Sequence, residues 1–300
     1  MITTELDINL VTQAARYIFR ADVAPERVKS GWSTYVYRVA HGGQSYYLRV
    51  LPEDASFAAE AKAHEILLAH GVTVPKPLYF EHKNELLGKS VMLTSEIPGR
   101  CLKKSVPKVL FEAGRQLALI NSIPVEGFDW IDRSNYDHLT GVKQSFKSYY
   151  YDDHYYYGAL YEVIEATREY GFDADRIKAA MDAAFPSLDT EQAWLSHGDF
   201  DNTHIFHRRE RYTGIIDFCG VQGSHRLRDL GHYRLHDDHG GFRHLLRGYQ
   251  ELHPLTEEDM VKIECLALFV GIGRARNGSK HYRRLVIRQL GRMGLPAPTA

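Results

Sequence analysis

Two carboxylates stand out in this sequence by their setting. Leu195-Ser196-His197-Gly198-Asp199 is followed, after a short β-rich stretch, by Thr213-Gly214-Ile215-Ile216-Asp217-Phe218. Moving a phosphoryl group onto an alcohol requires one carboxylate beside the attacking hydroxyl and another at a metal site on the phosphates. Asp199 suits the first role. Asp217 suits the second, because an apolar strand ending in a lone acid holds that acid rigidly. Taken singly, these residues have plainer explanations: His197 and Asp199 as a hydrogen-bonded core pair, Asp217 as a turn residue. Their order and spacing favour the phosphoryl-transfer reading.

Upstream residues could grip a phosphate-bearing donor. Arg49 lies inside the otherwise apolar strand Tyr46 to Leu51, where an unpaired charge would be costly to bury. It either finds a partner or snorkels out from an edge strand. The following helix offers Glu60 and Glu65. Phe57, Glu60, Ala61, Leu67 and Leu68 share one helical stripe, so Glu60 points toward the sheet, while Glu65 shares the other face with Lys62. Glu60 is therefore the expected partner of Arg49. Ahead of the strands, Ser30-Gly31-Trp32-Ser33-Thr34 supplies small residues and backbone N–H groups that could cover an anion, or form an ordinary turn.

The elements that must position these groups fall into two blocks. Tyr35 to Val39 and Ser45 to Leu51 read as strands joined by a hairpin at Gly42-Gly43. A helix from about Phe57 to His70 stops at Gly71. Further strands follow near Leu78 to Phe80 and Ser90 to Ser95, and Pro98-Gly99 breaks the pattern. Beyond it helices dominate: about Val106 to Asn121, a tyrosine-rich helix running to Tyr170, Ala174 to Phe185, and helices between Glu257 and Met293. Trp194 to Phe218 is a compact β-rich insertion. The expected fold is α+β and two-lobed, with residues 1–97 as an antiparallel sheet lobe carrying one key helix and residues 98–300 as a larger helical lobe.

His197-Gly198-Asp199, a residue able to bind metal five positions on, and the Ile-Ile-Asp strand end resemble the catalytic signature of the aminoglycoside phosphotransferase family, which has a protein-kinase-like fold. Ile97-Pro98-Gly99 resembles the family's hinge, and Asp229-Leu230, twelve residues after Asp217, its Asp-Leu pair. The resemblance implies Asp199 as catalytic residue, His204 and Asp217 as magnesium ligands, and His197 and Asp229 as braces of the catalytic loop. His204 replaces the family's usual Asn, as it does in members that modify the aminoglycoside 2-double-prime hydroxyl. Imidazole is a poorer partner for magnesium than oxygen. The resemblance also makes Arg49 the counterpart of the family's phosphate-contacting lysine. Ser30, Gly31, Ser33 and Thr34 become the loop closing over ATP or GTP. The Ser95 carbonyl and Ile97 N–H become the adenine contacts.

Acceptor recognition is expected between hinge and catalytic loop, where the family's acids grip substrate amines. Tyr149-Tyr150-Tyr151-Asp152-Asp153-His154-Tyr155-Tyr156-Tyr157 lies there. Six tyrosines in nine helical positions cannot all face one core. Asp152, Asp153 and Tyr156 are the acceptor candidates, against plain helix packing with exposed phenols. His232 and His236 stand one helical turn apart, a spacing that can bind a transition metal, yet without a patterned third ligand they read as polar helix surface.

Bulk properties remove other classes. The 300 residues carry a formal charge of -1, which gives no broad basic footprint for nucleic acid. Cys101, Cys219 and Cys265 have no zinc spacing and suit free thiols in a reducing compartment. No apolar run approaches the roughly twenty residues that cross a bilayer. The expectation is a cytoplasmic, magnesium-dependent kinase, monomeric or homodimeric, acting on a small-molecule hydroxyl, in the antibiotic-resistance mould. The alternatives are a metabolic kinase for an amino sugar, a choline-like base or homoserine, and a nucleotide-binding pseudokinase.

Overall fold

The computed structural model describes residues 5–28, 34–52, 55–133, 137–152, 158–275 and 278–295. By its contacts the chain divides into two compact units. The first comprises Met1–Gly99, Asp132–Leu139 and Thr213–Cys219, and the second Arg100–Ile131, Thr140–Tyr212 and Gly220–Ala300. The unit thus ends two residues past the expected boundary. It also takes in two segments that the sequence reading had placed in the second block, one of them carrying Asp217.

The first unit is built on a five-stranded antiparallel sheet, in the order β1-β2-β3-β5-β4. Its strands are β1 (Glu26–Val28), β2 (Tyr35–His41), β3 (Gln44–Val50), β4 (Pro77–Glu81) and β5 (Val91–Ser95). The expected hairpin joins β2 to β3: His41 pairs with Gln44, and Gly42 and Gly43 have φ of 57° and 76°. Two successive positive φ values match the right-handed twist of the strands, and glycine adopts them without strain.

Strand alternation gives the sheet two different faces. Leu48 and Val50 point to one, where they pack with Tyr35, Tyr37, Val39, Val91 and Leu93. That face is covered by α1 (Ile8–Phe19), whose Val11 and Ala15 join the cluster. Asp7 caps α1 by accepting from the Asn9 N–H at 2.8 Å. Burying Leu48 or Val50 contributes about 1.5–3 kcal/mol each. Met92 points to the other face with Leu51, Phe57 and Ala61, and there α2 (Ala58–Ala69) packs. Arg49, between Leu48 and Val50, necessarily shares the α2 face.

The second unit has its own antiparallel sheet, β7-β10-β13-β8-β9. These strands are β7 (Pro124–Val125), β8 (Phe128–Ile131), β9 (Gly141–Lys143), β10 (Ala193–Ser196) and β13 (Gln222–Ser224). A separate pairing joins β6 (Arg100–Cys101) to β11 (Ile205–Arg208), with Phe206 opposite Cys101. β12 (Arg211–Ile215) follows β11 after a turn at Arg209 and Glu210, both with positive φ, and its last residues group with the first unit. The helices are α3 (Pro107–Ile120), α4 (Phe146–Tyr151), α5 (Leu160–Ala166), α6 (Ala174–Leu188), α7 (Arg228–His236), α8 (Phe242–Gln250), α9 (Glu257–Ala275) and α10 (Lys280–Arg292).

The tyrosine-rich stretch is not one helix. α4 stops at Tyr151 because Asp152 turns extended, at φ -83° and ψ 179°. The chain re-enters α5 after Gly158, whose φ is 80°. Tyr149 and Tyr150 are both 1% exposed. Tyr150 stacks on Phe269 with ring centroids 5.0 Å apart, and its hydroxyl donates to the Met181 carbonyl. These two tyrosines are core residues.

Candidate active site

In the first unit, sheet alternation and the α2 stripe bring Arg49 and Glu60 together. The Arg49 guanidinium donates to Glu60 Oε1, lies over the Phe57 ring at 5.0 Å, and reaches Asp217 Oδ1 at 3.5 Å. Glu60 is 4% exposed. Burial drives its carboxyl upward, and Arg49 pulls it back toward the charged form. Burial also opposes the charge of Arg49, but Glu60 and Asp217 outweigh it and fix the arginine as a cation. Glu65 is solvated beside Lys62, as its helix face requires.

Asp217 follows β12 with a φ of 69°, a left-handed conformation that few residues other than glycine tolerate. The strand end is fixed by the Ile215 N–H, which donates to the Thr73 carbonyl at 3.0 Å. Gly214 lies against Ile97 in the same unit. Those contacts explain why this stretch groups with the sheet. Cys219, two residues on, has its thiol pushed up by burial and by the charges of Asp217 and Glu60. Thr34 is buried at the start of β2, and Ser30, Gly31 and Ser33 lie outside the described residues. Ser95 closes β5, its Oγ accepting from the Lys76 N–H at 2.9 Å, and Ile97 is half-buried.

In the second unit, the loop after β10 presents Asp199. Its backbone is anchored by Asp229, the second residue of α7. Asp229 accepts from Ser196 Oγ at 2.6 Å, from the His197 and Gly198 N–H groups at 2.8 and 3.0 Å, and from Asn121 Nδ2 at 3.0 Å. It is fully buried. Burial works against its charge, yet His197, Arg228 and these hydrogen bonds outweigh it and hold the carboxyl below the usual range. Arg228 Nη1 donates to the Gly198 carbonyl at 3.0 Å. Gly198 itself, at φ 84°, is packed so tightly that an added Cβ would lie 1.8 Å from the Gly220 carbonyl oxygen.

The Asp199 carboxylate, 33% exposed, accepts from Arg274 Nη2 at 2.6 Å and lies 3.1 Å from His232 Nε2. Burial opposes its ionisation. His232, Arg274 and His204 prevail and hold it well below the usual carboxylate range. His232 Nδ1 donates to the Phe200 carbonyl at 3.0 Å, so Nε2 is the nitrogen turned toward Asp199. This corrects the helix-surface reading of His232, which is 0% exposed. His236 stacks on it at 4.5 Å and is pushed down to about 3 by burial and by the charge of His232. Asp237 is buried and accepts from the Gly241 and Phe242 N–H groups at the start of α8.

His204 Nδ1 donates to the Asp199 carbonyl at 2.6 Å and lies 3.7 Å from Asp201. Asp152 is exposed at the end of α4, and Asp153 and Tyr156 lie outside the described residues. Among the described residues, no three His, Cys, Asp or Glu side chains converge as a metal site. A single protein carboxylate still suits magnesium, which keeps several waters and takes oxygens from substrate phosphates.

Sequence reasoning missed Arg274, His232, Asn121 and Arg228. The first carried a faint signal: a lone arginine closing the apolar run of α9, Cys265 to Gly273.

The sequence model of the phosphotransferase enzyme family matches residues 25–255. The chain is 28% identical over 236 residues to acyl-CoA dehydrogenase family member 11 of Rattus norvegicus. That match covers 72% of this chain but only 28% of that longer protein. Among solved structures, a protein from Thermobifida fusca assigned as a fructosamine-3-kinase superposes with a TM-score of 0.68 at 18% identity, over 94% of this chain and 98% of that one. A thermostable aminoglycoside phosphotransferase APH(4)-Ia, in ternary complex with ADP and hygromycin B, superposes with a TM-score of 0.63 at 14% identity, over 95% and 96%. The fold is thus the kinase-like one that the signature implied. With the family's sequence model matching residues 25–255, the chain belongs to the phosphotransferase enzyme family.

Proposed function

We propose that this chain is a small-molecule kinase that transfers the γ-phosphoryl group of a magnesium nucleotide to an alcohol. The observation that carries the reading is Asp199. It is a partly exposed carboxylate, kept ionised by its neighbours, on a loop whose backbone N–H groups are pinned by Asp229. Asp199 accepts the hydrogen bond of the acceptor hydroxyl and takes its proton late in transfer. The acceptor oxygen forms the new bond to phosphorus as the bond to the bridging oxygen breaks, and the nucleoside diphosphate leaves with that electron pair. Arg49, aligned by Glu60, binds the donor phosphates. Asp217 and His204 are the residues that would hold magnesium, which when bound would supply charge neutralisation on the donor phosphates. The loop containing Ser30, Gly31, Ser33 and Thr34 covers the nucleotide, while the backbone of Ser95 and Ile97 contacts its base. Most of the acceleration comes from positioning and charge neutralisation.

ATP is the favoured donor, by analogy with the fold relative that binds ADP; GTP is the alternative. An aminoglycoside-like acceptor, gripped by Asp152, Asp153 and Tyr156, would make this an antibiotic-modifying enzyme. Arg274 beside Asp199 favours a second reading, a metabolic alcohol without amines. Three free thiols support a reducing, cytoplasmic setting, and among the described residues no helix is long and apolar enough to cross a membrane.

The test is phosphate transfer from magnesium-ATP and magnesium-GTP to aminoglycosides, macrolides and small metabolic alcohols, with Asp199→Asn as control. Transfer that disappears in the variant supports the reading. Nucleotide binding with no transfer to any acceptor would point to a pseudokinase.

A further inference from the structure

The carboxylate assigned to the acceptor hydroxyl has a cation on its exposed side. Arg274, in the last turn of α9, places Nη2 on Asp199 Oδ1 at 2.6 Å and Nη1 on the Tyr282 hydroxyl at 2.7 Å. His232 also serves Asp199, but from a fully buried position. Arg274 is a quarter exposed, so whatever approaches Asp199 meets its guanidinium as well. A hydroxyl bonded to Asp199 necessarily comes within a few ångströms of Arg274.

The surrounding charges run the same way. α10, which supplies Tyr282, carries Lys280, Arg283, Arg284, Arg288 and Arg292 and no acid. Among the described residues, several acids of the same unit are engaged within the protein. Asp201 accepts from Thr203, Asp238 pairs with Arg288, Glu264 pairs with Arg234, and Asp237 caps α8. An acceptor amine next to the reacting hydroxyl would meet the like charge of Arg274. An anionic oxygen group would meet a guanidinium able to pair with it by giving up part of its hold on Asp199 or Tyr282.

We propose that Arg274 selects an acceptor carrying a carboxylate or phosphate group beside the hydroxyl that is phosphorylated. The inference rests on the assignment of Asp199 as the acceptor-side residue. Binding such a group draws Arg274 partly away from Asp199. That leaves the Asp199 oxygen available to the hydroxyl only when the correct acceptor is present. An acceptor lacking the anion leaves the carboxylate tied to the arginine.

The test uses acceptors matched in size: glycerate and glycerol phosphate against glycerol and its amino analogue serinol, and gluconate against glucitol and glucamine. Transfer from magnesium-ATP is followed by ADP formation. Binding to the protein loaded with a non-hydrolysable ATP analogue is followed in parallel by saturation-transfer NMR. The acids are expected to exceed their neutral and amine counterparts by about 10–100-fold in kcat/KM. Arg274→Gln should erase that preference by raising KM for the acids far more than for the neutral alcohols, whatever common change in kcat follows from altering the surroundings of Asp199, and Arg274→Lys should retain part of it. Carboxylate and phosphate arms show which anion is preferred. Preference for amines or neutral alcohols, or a preference for acids that survives Arg274→Gln, overturns the proposal. If nothing is phosphorylated although nucleotide binds, the kinase reading fails separately. Tighter binding of acids that is lost in Arg274→Gln would then still uphold the acceptor class, and equal or absent binding across the panel would overturn it.

Discussion

Arg228 and Tyr149 are joined in the core of the second unit, Arg228 Nε donating to the Tyr149 hydroxyl at 2.8 Å. The same guanidinium donates to the Gly198 carbonyl, so one buried cation links α4 to the loop that carries Asp199. Tyr149→Phe removes a partner from this cation without leaving a cavity. It should cost about 1–3 kcal/mol in urea unfolding, the range for stranding a buried polar group, and lower turnover more than nucleotide affinity. Unchanged stability would mean that Arg228 is satisfied without the tyrosine.

Asp199→Asn keeps the shape of the side chain but removes the charge that Arg274 and His232 hold in place. Turnover should fall by about 10²–10⁴-fold while nucleotide binding survives. Parallel steady-state kinetics and nucleotide titration separate the two effects. Near-normal turnover would remove Asp199 from the mechanism.

The Arg49–Glu60 pair offers a test of what a buried ion pair is for. Among the described residues, Glu60→Ala leaves Arg49 with the more distant Asp217 as its carboxylate and should destabilise the protein by about 3–5 kcal/mol. The double change Arg49→Met with Glu60→Leu should recover most of that stability, since apolar residues of similar volume tolerate burial. Nucleotide affinity should remain low in the double variant. Recovered affinity would show that Arg49 does not contact phosphate.

Asp229 makes stability depend on acid pH. Its folded-state value lies below that of an unfolded aspartate, near 3.9, so the stabilisation is complete above that value and is lost as pH falls through the lower, folded one. Asp229→Asn should therefore be less stable at pH 7 by about 1–3 kcal/mol. The gap to the unaltered protein should narrow below about pH 4, as read from urea midpoints across pH. A gap independent of pH would assign the loss to misplaced hydrogen bonds rather than to charge.

Local signals made much of the first unit legible. Gly42-Gly43 between two alternating runs specifies a hairpin, and the α2 stripe places Glu60 on the face that strand alternation gives Arg49. Helix α1 escaped notice although its capping Asp7 is local. The partners of Asp199 were illegible for a different reason. Arg274 lies 75 residues downstream, and nothing in its own segment says which carboxylate it will meet. His232 was misread because its helix, rich in charged residues and histidines, looks like solvent-facing surface. Tertiary packing buries it against the Phe200 carbonyl. The tyrosine run misled because helix periodicity was extended through Asp152 and Gly158, where the backbone leaves the helix.

The contact between Gly198 and Gly220 bears on how this protein could be altered. A methyl group at 198 would have to occupy the space of a backbone oxygen, so no side-chain rearrangement elsewhere can make room for it. In a library randomised at both ends of the site, position 198 should return only glycine, while Asp152, exposed at the end of α4, should accept most residues. Diversification toward new acceptors would then proceed on the helical side, with the loop that carries Asp199 left as a fixed part.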